Sequence, residues 1–519
     1  MKKILKSIKM LMFFTAFVVL SGCSDELLDQ QNNNATSTAN FGSSVAEVEA
    51  AVNGAFHPIT DTFFWGRIIH TGAMLRSDEF NVFPFGGNTA MSTFQGEPGS
   101  ARWATEPWQQ AYKSIARCNN IIENVNEEGI PDTDTRNSLV GQAYFLRAFD
   151  YWYLVNIYGS VPLVVGLPDL DNVLVDQASA SEIWNQIISD LEMAESLLPA
   201  SWDGDNLGRP TSGAATALKG KSYLYMKDYP AAATALQSLV GQYSLLPTAQ
   251  YGENFSTTNE NNQESVFELQ FLGQTSFAWG TDIPGTGTMG NFHIDYAPPA
   301  KSPDRSHVVN SWLKDLFETN NDEVRRNETL AYDYPGSTGY GGTDFLTDFA
   351  DDIATANDAG MEPIFSKKYA GLDLGTRDQV DFLGTNVGNN WRVIRYADVL
   401  LMLAEALNES NQPDLAGPYV DQVRLRAGLS TITDLNLDQV AMRQAIIEER
   451  AMELAGEGHR FFDLVRWGLA NDYLGATSLH GAHPKSLSGG TFQANKHELV
   501  WIPASEIDAN PNLVQNPGY

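Results

Sequence analysis

"ALKGKSYLYMKDYPAAATALQSLV", Ala217 to Val240, and "LLMLAEALNESNQPDLAGPYVDQV", Leu400 to Val423, decide the fold of this 519-residue chain. In the first, Gly220 is followed by Tyr223, Ala232, Leu236 and Leu239; in the second, Ala404 is followed by Leu407, Ala416, Val420 and Val423 at identical offsets. Small, large, small, large, large at these spacings is how tetratricopeptide-like helix pairs pack at short range, the small residue admitting the neighbouring backbone. Two such units far apart in sequence predict a mainly α protein, a helix-pair array assembled from both ends of the chain. Generic antiparallel helix pairs are the alternative.

Helical periodicity extends outward from these units, through Ala111 to Val125, Leu139 to Tyr158, Ile183 to Leu198 and Gly213 to Tyr225. Ser181 is the predicted N-cap before Ile183, and Pro199 the stop. Trp103, Trp108, Trp152, Trp184 and Trp467 fall in helical context and are assigned to the core. Between the helical regions, "PGTGTMG", "PGSTGYGG" and "ADDIATANDAG" predict turns and loops with short strands at most. The organisation expected is a signal at 1–22, a tether at 23–40, a helical region at 41–250, a loop-rich ligand-binding insertion at 251–390 and a second helical region at 391–519.

The first residues do not belong to the fold. Lys2, Lys3, Lys6 and Lys9 precede an apolar run from Met10 to Leu20, and Leu20-Ser21-Gly22-Cys23 closes it with small residues before a cysteine. This is a secretory signal, too short to span a membrane comfortably. The tetrapeptide resembles the bacterial lipobox, which implies cleavage before Cys23 and attachment there of fatty acyl chains such as palmitate, and two or more chains hold a protein stably to a bilayer. The polar stretch from Ser24 to Asn40 is a flexible tether. With Cys23 acylated, Cys118 has no partner for a disulfide and is expected as a small buried residue. Acidic residues outnumber basic ones 64 to 33, a formal charge of −31, which disfavours nucleic acid as a partner.

"EERAMELAGEGHRFFDLVRWG", Glu448 to Gly468, concentrates ionisable groups. Arg450 falls inside the apolar arc of its helix, with Glu453 and Glu457 as its predicted partners. Gly456 and Gly458 predict a turn carrying His459, then a second short helix from about Arg460 in which Asp463 and Arg466 pair. Every carboxylate has an arginine within a turn or two. Arg450, Glu453, Glu457, Arg460, Asp463 and Arg466 are therefore assigned to a structural charge cluster rather than to acid–base chemistry.

The segments "WRVIRYADVLLMLAEALNE", "RLRAGL", "IIEERAMELAGEGHRFFDLVRWG" and "ELVWIPASEIDANPNLVQNPGY", in this order, resemble the carboxy-terminal half of the SusD/RagB family. "GQAYFLRAFDYWYLVNIYGSVPLV" and "ALKGKSYLYMKDYPAAATAL" are similar to its amino-terminal half. The resemblance implies a surface-exposed outer-membrane lipoprotein of Bacteroidetes. Such a protein captures oligosaccharides, or sometimes peptides, as a lid on a SusC-like TonB-dependent transporter.

Sugars offer C–H faces to aromatic rings and hydroxyls to polar side chains. Loop stretches mixing the two supply the candidate ligand residues: Asp78, Asn81, Phe83, Phe85 and Asn88; Gln274, Phe277 and Trp279; Tyr296; and Tyr332, Tyr334 and Tyr340. No cofactor is expected. His480 and His483 lack a third ligand, so no metal is predicted either. A surface glycoside hydrolase would need two carboxylates across the scissile bond, a pairing no motif singles out among 64 acids. A pure scaffold is the other rival, since helix-pair arrays usually bind proteins.

Overall fold

The computed structural model describes residues 41–82, 89–96, 102–167, 173–271, 296, 307–339, 342–370, 388–480 and 491–519. The signal, Cys23 and the tether lie outside the described residues, as do Phe83, Phe85, Asn88, Gln274, Phe277, Trp279, Tyr340 and His483.

The amino-terminal half supplies α1 (Val45–Thr60), α2 (Ile68–Arg76), α3 (Arg102–Asn124), α4 (Thr133–Tyr158), α5 (Ala180–Leu197), α6 (Ser212–Tyr225) and α7 (Tyr229–Gln237). Each stretch with helical period lies in one of them, except that Val125 and Leu198 fall one residue beyond a helix end. The cap of α5 is Ser179, not Ser181: the Ser179 hydroxyl accepts from the Glu182 amide while the Glu182 carboxylate accepts from the Ser179 amide. That reciprocal box satisfies two end donors at once, which a cap at Ser181 inside the first turn would leave open.

The α6–α7 pair closes as the small–large pattern requires. A Cβ on Gly220 would stand 2.6 Å from Leu236 Cγ, so only glycine admits α7 at this distance. Ala232, Leu236 and Leu239 are buried, and Tyr223 sits half-buried at the margin. The second pair, α11 (Tyr396–Glu409) and α12 (Pro413–Arg426), buries Ala404, Ala416, Val420 and Val423 completely. α7 packs directly on α11, which also supports α13 (Gln439–Glu453). One stack therefore runs from α1 and α3 through α4, α5, α6 and α7 to α11, α12 and α13, joining both ends of the chain.

The middle of the chain is more helical than its composition suggested. It contains α8 (Ser311–Thr319), α9 (Glu323–Thr329) and α10 (Ala350–Asp358) besides short strands. Within "ADDIATANDAG", Asp351 and Asp352 suit a helix N-terminus, Ile353 and Ala356 share an inner face, and Gly360 at φ +70° follows its end. β1 (Phe80–Val82) pairs antiparallel with β3 (His307–Val309), and β2 (Ser265–Leu269) with β4 (Trp391–Arg395). These ribbons tie the middle region to both helical ends. Trp108, Trp152 and Cys118 are buried in the common core and Trp184 and Trp467 are half-buried against it. Burial pushes the Cys118 thiol far above its ordinary pKa, so it stays protonated.

Candidate functional site

Helix α13 ends at Glu453, Gly456 and Gly458 turn the chain at φ +73° and +79°, and α14 (Arg460–Arg466) follows. Left-handed backbone at both positions is why glycine stands there. Around this turn the interior holds an unusual density of charge, and every ion in it has a partner. Arg450 does not pair with Glu453 or Glu457. Its guanidinium joins Asp398 of α11 to Asp463 of α14, both at 2.8 Å. Glu453 and Glu457 point to the opposite side, where Arg395 at the end of β4 meets Glu453 at 2.9 Å and Glu457 at 2.8 Å. Glu453 also receives Arg325 at 3.2 Å and Arg426, while Lys368 holds Glu457 at 2.8 Å. Helical spacing placed Arg450 correctly in the interior, but the nearest acids in sequence were claimed by cations from other elements. Asp463 and Arg466 pair at 2.8 Å as expected, and Arg466 continues to Glu405.

His459 Nδ1 lies 3.2 Å from Lys221 Nζ, and Lys221 lies 3.3 Å from Asp398. Because an ammonium can only donate, Nδ1 of His459 is the acceptor and the ring is neutral. Burial, then the Lys221 charge, lowers the His459 pKa to about 4. Buried charge on this scale is tolerable only when fully matched, and here it clamps α6, α11, α13 and α14 together. Among the described residues of this cluster, the ionised groups are committed to one another.

On the outer side of α14 the same chain opens a cleft of about 390 Å³. Its floor is Arg460, which donates two parallel hydrogen bonds of 2.9 Å to Asp78. Trp312 of α8 and Tyr473 of α15 (Ala470–Leu474) flank that guanidinium, with ring centres 5.3 and 5.0 Å from its carbon. Trp312 is fixed by donating its indole N–H to the Asp78 carbonyl at 2.6 Å, and His480 stacks on it at 4.2 Å. His480 Nε2 also lies 3.4 Å from the Asp78 carboxylate. Leu316, Ile447 and Leu479 form apolar walls, and Asp315, Thr319, Gln444 and Glu448 form the rim. The remaining Arg460 nitrogen, Nη1, is buried and has no hydrogen-bond acceptor of ordinary geometry among the described residues. A cleft that sets a guanidinium between aromatic rings and surrounds it with a polar rim and apolar walls suits an uncharged ligand rich in hydroxyls and C–H faces.

A family profile described as "SusD family" matches residues 263–519, and one described as "Starch-binding associating with outer membrane" matches 28–224. The chain belongs to the SusD/RagB family. SusD-like protein P2 of Formosa agariphila is 28% identical, over 98% of this chain and 99% of that protein. Among solved structures, a SusD superfamily protein from Bacteroides vulgatus superposes with a TM-score of 0.75 at 26% identity, covering 92% of this chain and 100% of that one. A laminarin binding SusD-like protein gives 0.70 at 26% identity, with 91% and 99% covered.

Within this SusD/RagB member, four of the ligand residues expected from sequence, Asp78, Asn81, Tyr296 and Tyr332, are buried in the framework. Asp78 is fully buried under Arg460, and Asn81 is buried in β1 opposite Val308. Tyr296 is 1% exposed, donates its hydroxyl to the Gly456 carbonyl at 3.0 Å and packs among Trp391, Tyr369 and His70. Loop sequence alone did not reveal that these rings and acids face inward. Tyr332 is buried, with its hydroxyl donating to Glu318 at 2.7 Å, whereas Tyr334 is half-buried beneath the Arg326 guanidinium at 4.7 Å. Tyr334 thus keeps one accessible edge. Sequence reading missed Trp312, Tyr473 and the role of His480. The available signal was the pairing of an indole on an amphipathic helix with the "HGAH" loop, but nothing local indicates that they meet.

Proposed function

We propose that this protein is a lipid-anchored, surface-exposed outer-membrane binding protein that captures glycans without cleaving them. It delivers them as a lid to a SusC-like TonB-dependent transporter. The observation that supports glycan capture is the cleft, where the Arg460 guanidinium lies between Trp312 and Tyr473, below a rim of Gln444, Glu448 and Thr319. Ring hydroxyls match such a rim and sugar C–H faces match Leu316, Ile447 and Leu479. The "Starch-binding associating with outer membrane" profile and the laminarin-binding relative support a polysaccharide-derived ligand and a place at the outer membrane.

Titration calorimetry of the purified protein with oligosaccharides from starch and laminarin tests the reading. Binding with no sugar released on prolonged incubation is expected; steady turnover, or no affinity for any glycan, would remove it. Fatty-acid labelling of wild type against Cys23→Ser tests the anchor, and equal incorporation would exclude it.

A further inference from the structure

The buried arginines Arg147, Arg325, Arg395, Arg450 and Arg460 each meet a carboxylate at 2.6 to 2.9 Å. Arg76, in the last turn of α2 and only 6% exposed, meets none among the described residues. Its Nη2 donates to two backbone carbonyls, those of His497 and, at 3.1 Å, of Leu499. Phe461 and Phe94 lie against the guanidinium, with ring centres 4.4 and 5.7 Å from its carbon. The donors on Nε and Nη1 have no acceptor among the described residues. Glu498 acts on Arg76 only through space, because its carboxylate accepts from the Asn495 amide at 3.0 Å.

Burial lowers the Arg76 pKa to about 10 against the weaker pull of Tyr519 and Glu498, so the group is still a cation at neutral pH. At Arg325, Arg450 and Arg460 burial is overcome by the carboxylates in contact, and the pKa rises instead. A charge left uncompensated in a packed interior is costly, and an anion small enough to reach it relieves that cost.

Such an anion has a place to sit. Arg76 borders a pocket of about 30 Å³, walled by Ile69, Gly72 and Ala73 of α2, Phe461 and Phe462 of α14, and Val500. The Val500 amide donates to the Ile157 carbonyl at 2.7 Å, which fixes the carboxy-terminal wall against α4. Asn156 is the other polar side chain in the lining; its Nδ2 donates one hydrogen to the Trp152 carbonyl at 2.6 Å and keeps a second. No described residue of the lining is acidic, whereas Asp315 and Glu448 rim the glycan cleft, and the two sites share no residue. A water needs roughly 10–15 Å³ of such space, so the pocket takes two or three heavy atoms and no sugar ring.

We infer that Arg76 and this pocket form a binding site for one small monovalent anion, a halide or a carboxylate no larger than formate. The anion completes the charge of the guanidinium and braces α2 against the carboxy-terminal segment. This site goes beyond glycan capture and does not depend on it.

The test is thermal unfolding of the purified full chain at constant ionic strength in sodium chloride, sodium formate and sodium gluconate, the last anion being too large for the pocket. Wild type should show a saturable rise in midpoint of about 1–3 °C in chloride or formate over gluconate. A rise with chloride alone assigns a halide, and a rise with formate alone assigns a carboxylate. Arg76→Met should abolish the difference. In Gly72→Ala the new methyl meets only the flexible end of Met91 at 3.3 Å, so the fold is kept while the pocket narrows. Its apparent affinity for formate should fall at least about threefold. Crystals grown in sodium bromide should show an anomalous peak beside Arg76 Nε or Nη1, and this reading and Gly72→Ala decide the matter if Arg76→Met does not fold. Equal midpoints in all three salts, a response that survives in Arg76→Met, an unchanged formate affinity in Gly72→Ala, or bromide found only elsewhere would each overturn the site.

Discussion

Arg460 and Asp78 are joined by two parallel hydrogen bonds of 2.9 Å across 382 residues of sequence. The pair fastens the segment leading into β1 to α14 and lies beneath the cleft. Asp78→Asn leaves the guanidinium buried without a counter-charge, and breaking such a pair costs about 3–5 kcal/mol. Urea unfolding should show that loss. A change below about 1 kcal/mol would mean that solvent reaches the pair.

Glu79, next in the chain, is driven the other way. Burial and then the Asp78 charge raise its pKa to about 8, so it is protonated at neutral pH. The folded protein holds a proton here that the unfolded chain releases near pH 4.3, so this residue's contribution declines as pH rises from about 4.3 to about 8. Glu79→Gln should flatten that decline, and the variant's advantage over wild type should grow between pH 5 and 8 in denaturant titrations.

His459 has the opposite sign of slope. Its folded pKa of about 4 lies below the unfolded value near 6.5. The neutral ring therefore contributes fully above pH 6.5, and stability is lost as pH falls from there to about 4. The imidazole carbon shifts, followed by NMR, should stay those of the neutral form at pH 5. Protonation with a midpoint near 6.5 would remove the assigned Lys221 hydrogen bond.

Gly220→Ala should destabilise the helix array by about 1–3 kcal/mol, because the new methyl overlaps Leu236. Combined with Leu236→Ala, the added cost should shrink, giving a measurable coupling in a double-mutant cycle. Additive losses would show that α6 and α7 separate easily at this point.

For the cleft, Gln444→Ala and His480→Ala should each reduce glycan affinity about three- to tenfold, with melting temperatures within a degree or two of wild type. Both side chains are on the cleft surface; Gln444 lies outside the buried charge network, and His480 meets it only at the Asp78 carboxylate. Unaltered calorimetric affinity in both would move the site to the loops around Phe85 and Trp279, where alanine substitution provides the parallel measurement.

Local spacing made much of the fold legible. The five-position pattern at Gly220 and Ala404 indicated helix pairs, and the structure shows why, since a methyl group at Gly220 has no room. Gly456, Gly458 and the Asp463–Arg466 pair were readable for the same reason, as their partners lie within a turn or two. Arg450 was not, because Asp398 is 52 residues away and arrives only through the packing of α11. The ligand residues suffered likewise: the exposure of Asp78 or Tyr296 depends on what covers it. The cleft draws Trp312, Gln444, Arg460, Tyr473 and His480 from four separated stretches, and its chemistry appears only when the chain is closed.

Glu453 has a mechanical consequence. It is gripped by cations from α9, from the end of β4 and from the last turn of α12, so the intermediate region and the carboxy-terminal helices cannot swing apart without exposing a bare carboxylate and three guanidinium groups to an apolar interior. In the lid role proposed above, the regions joined at Glu453 would therefore move together as one stiff body.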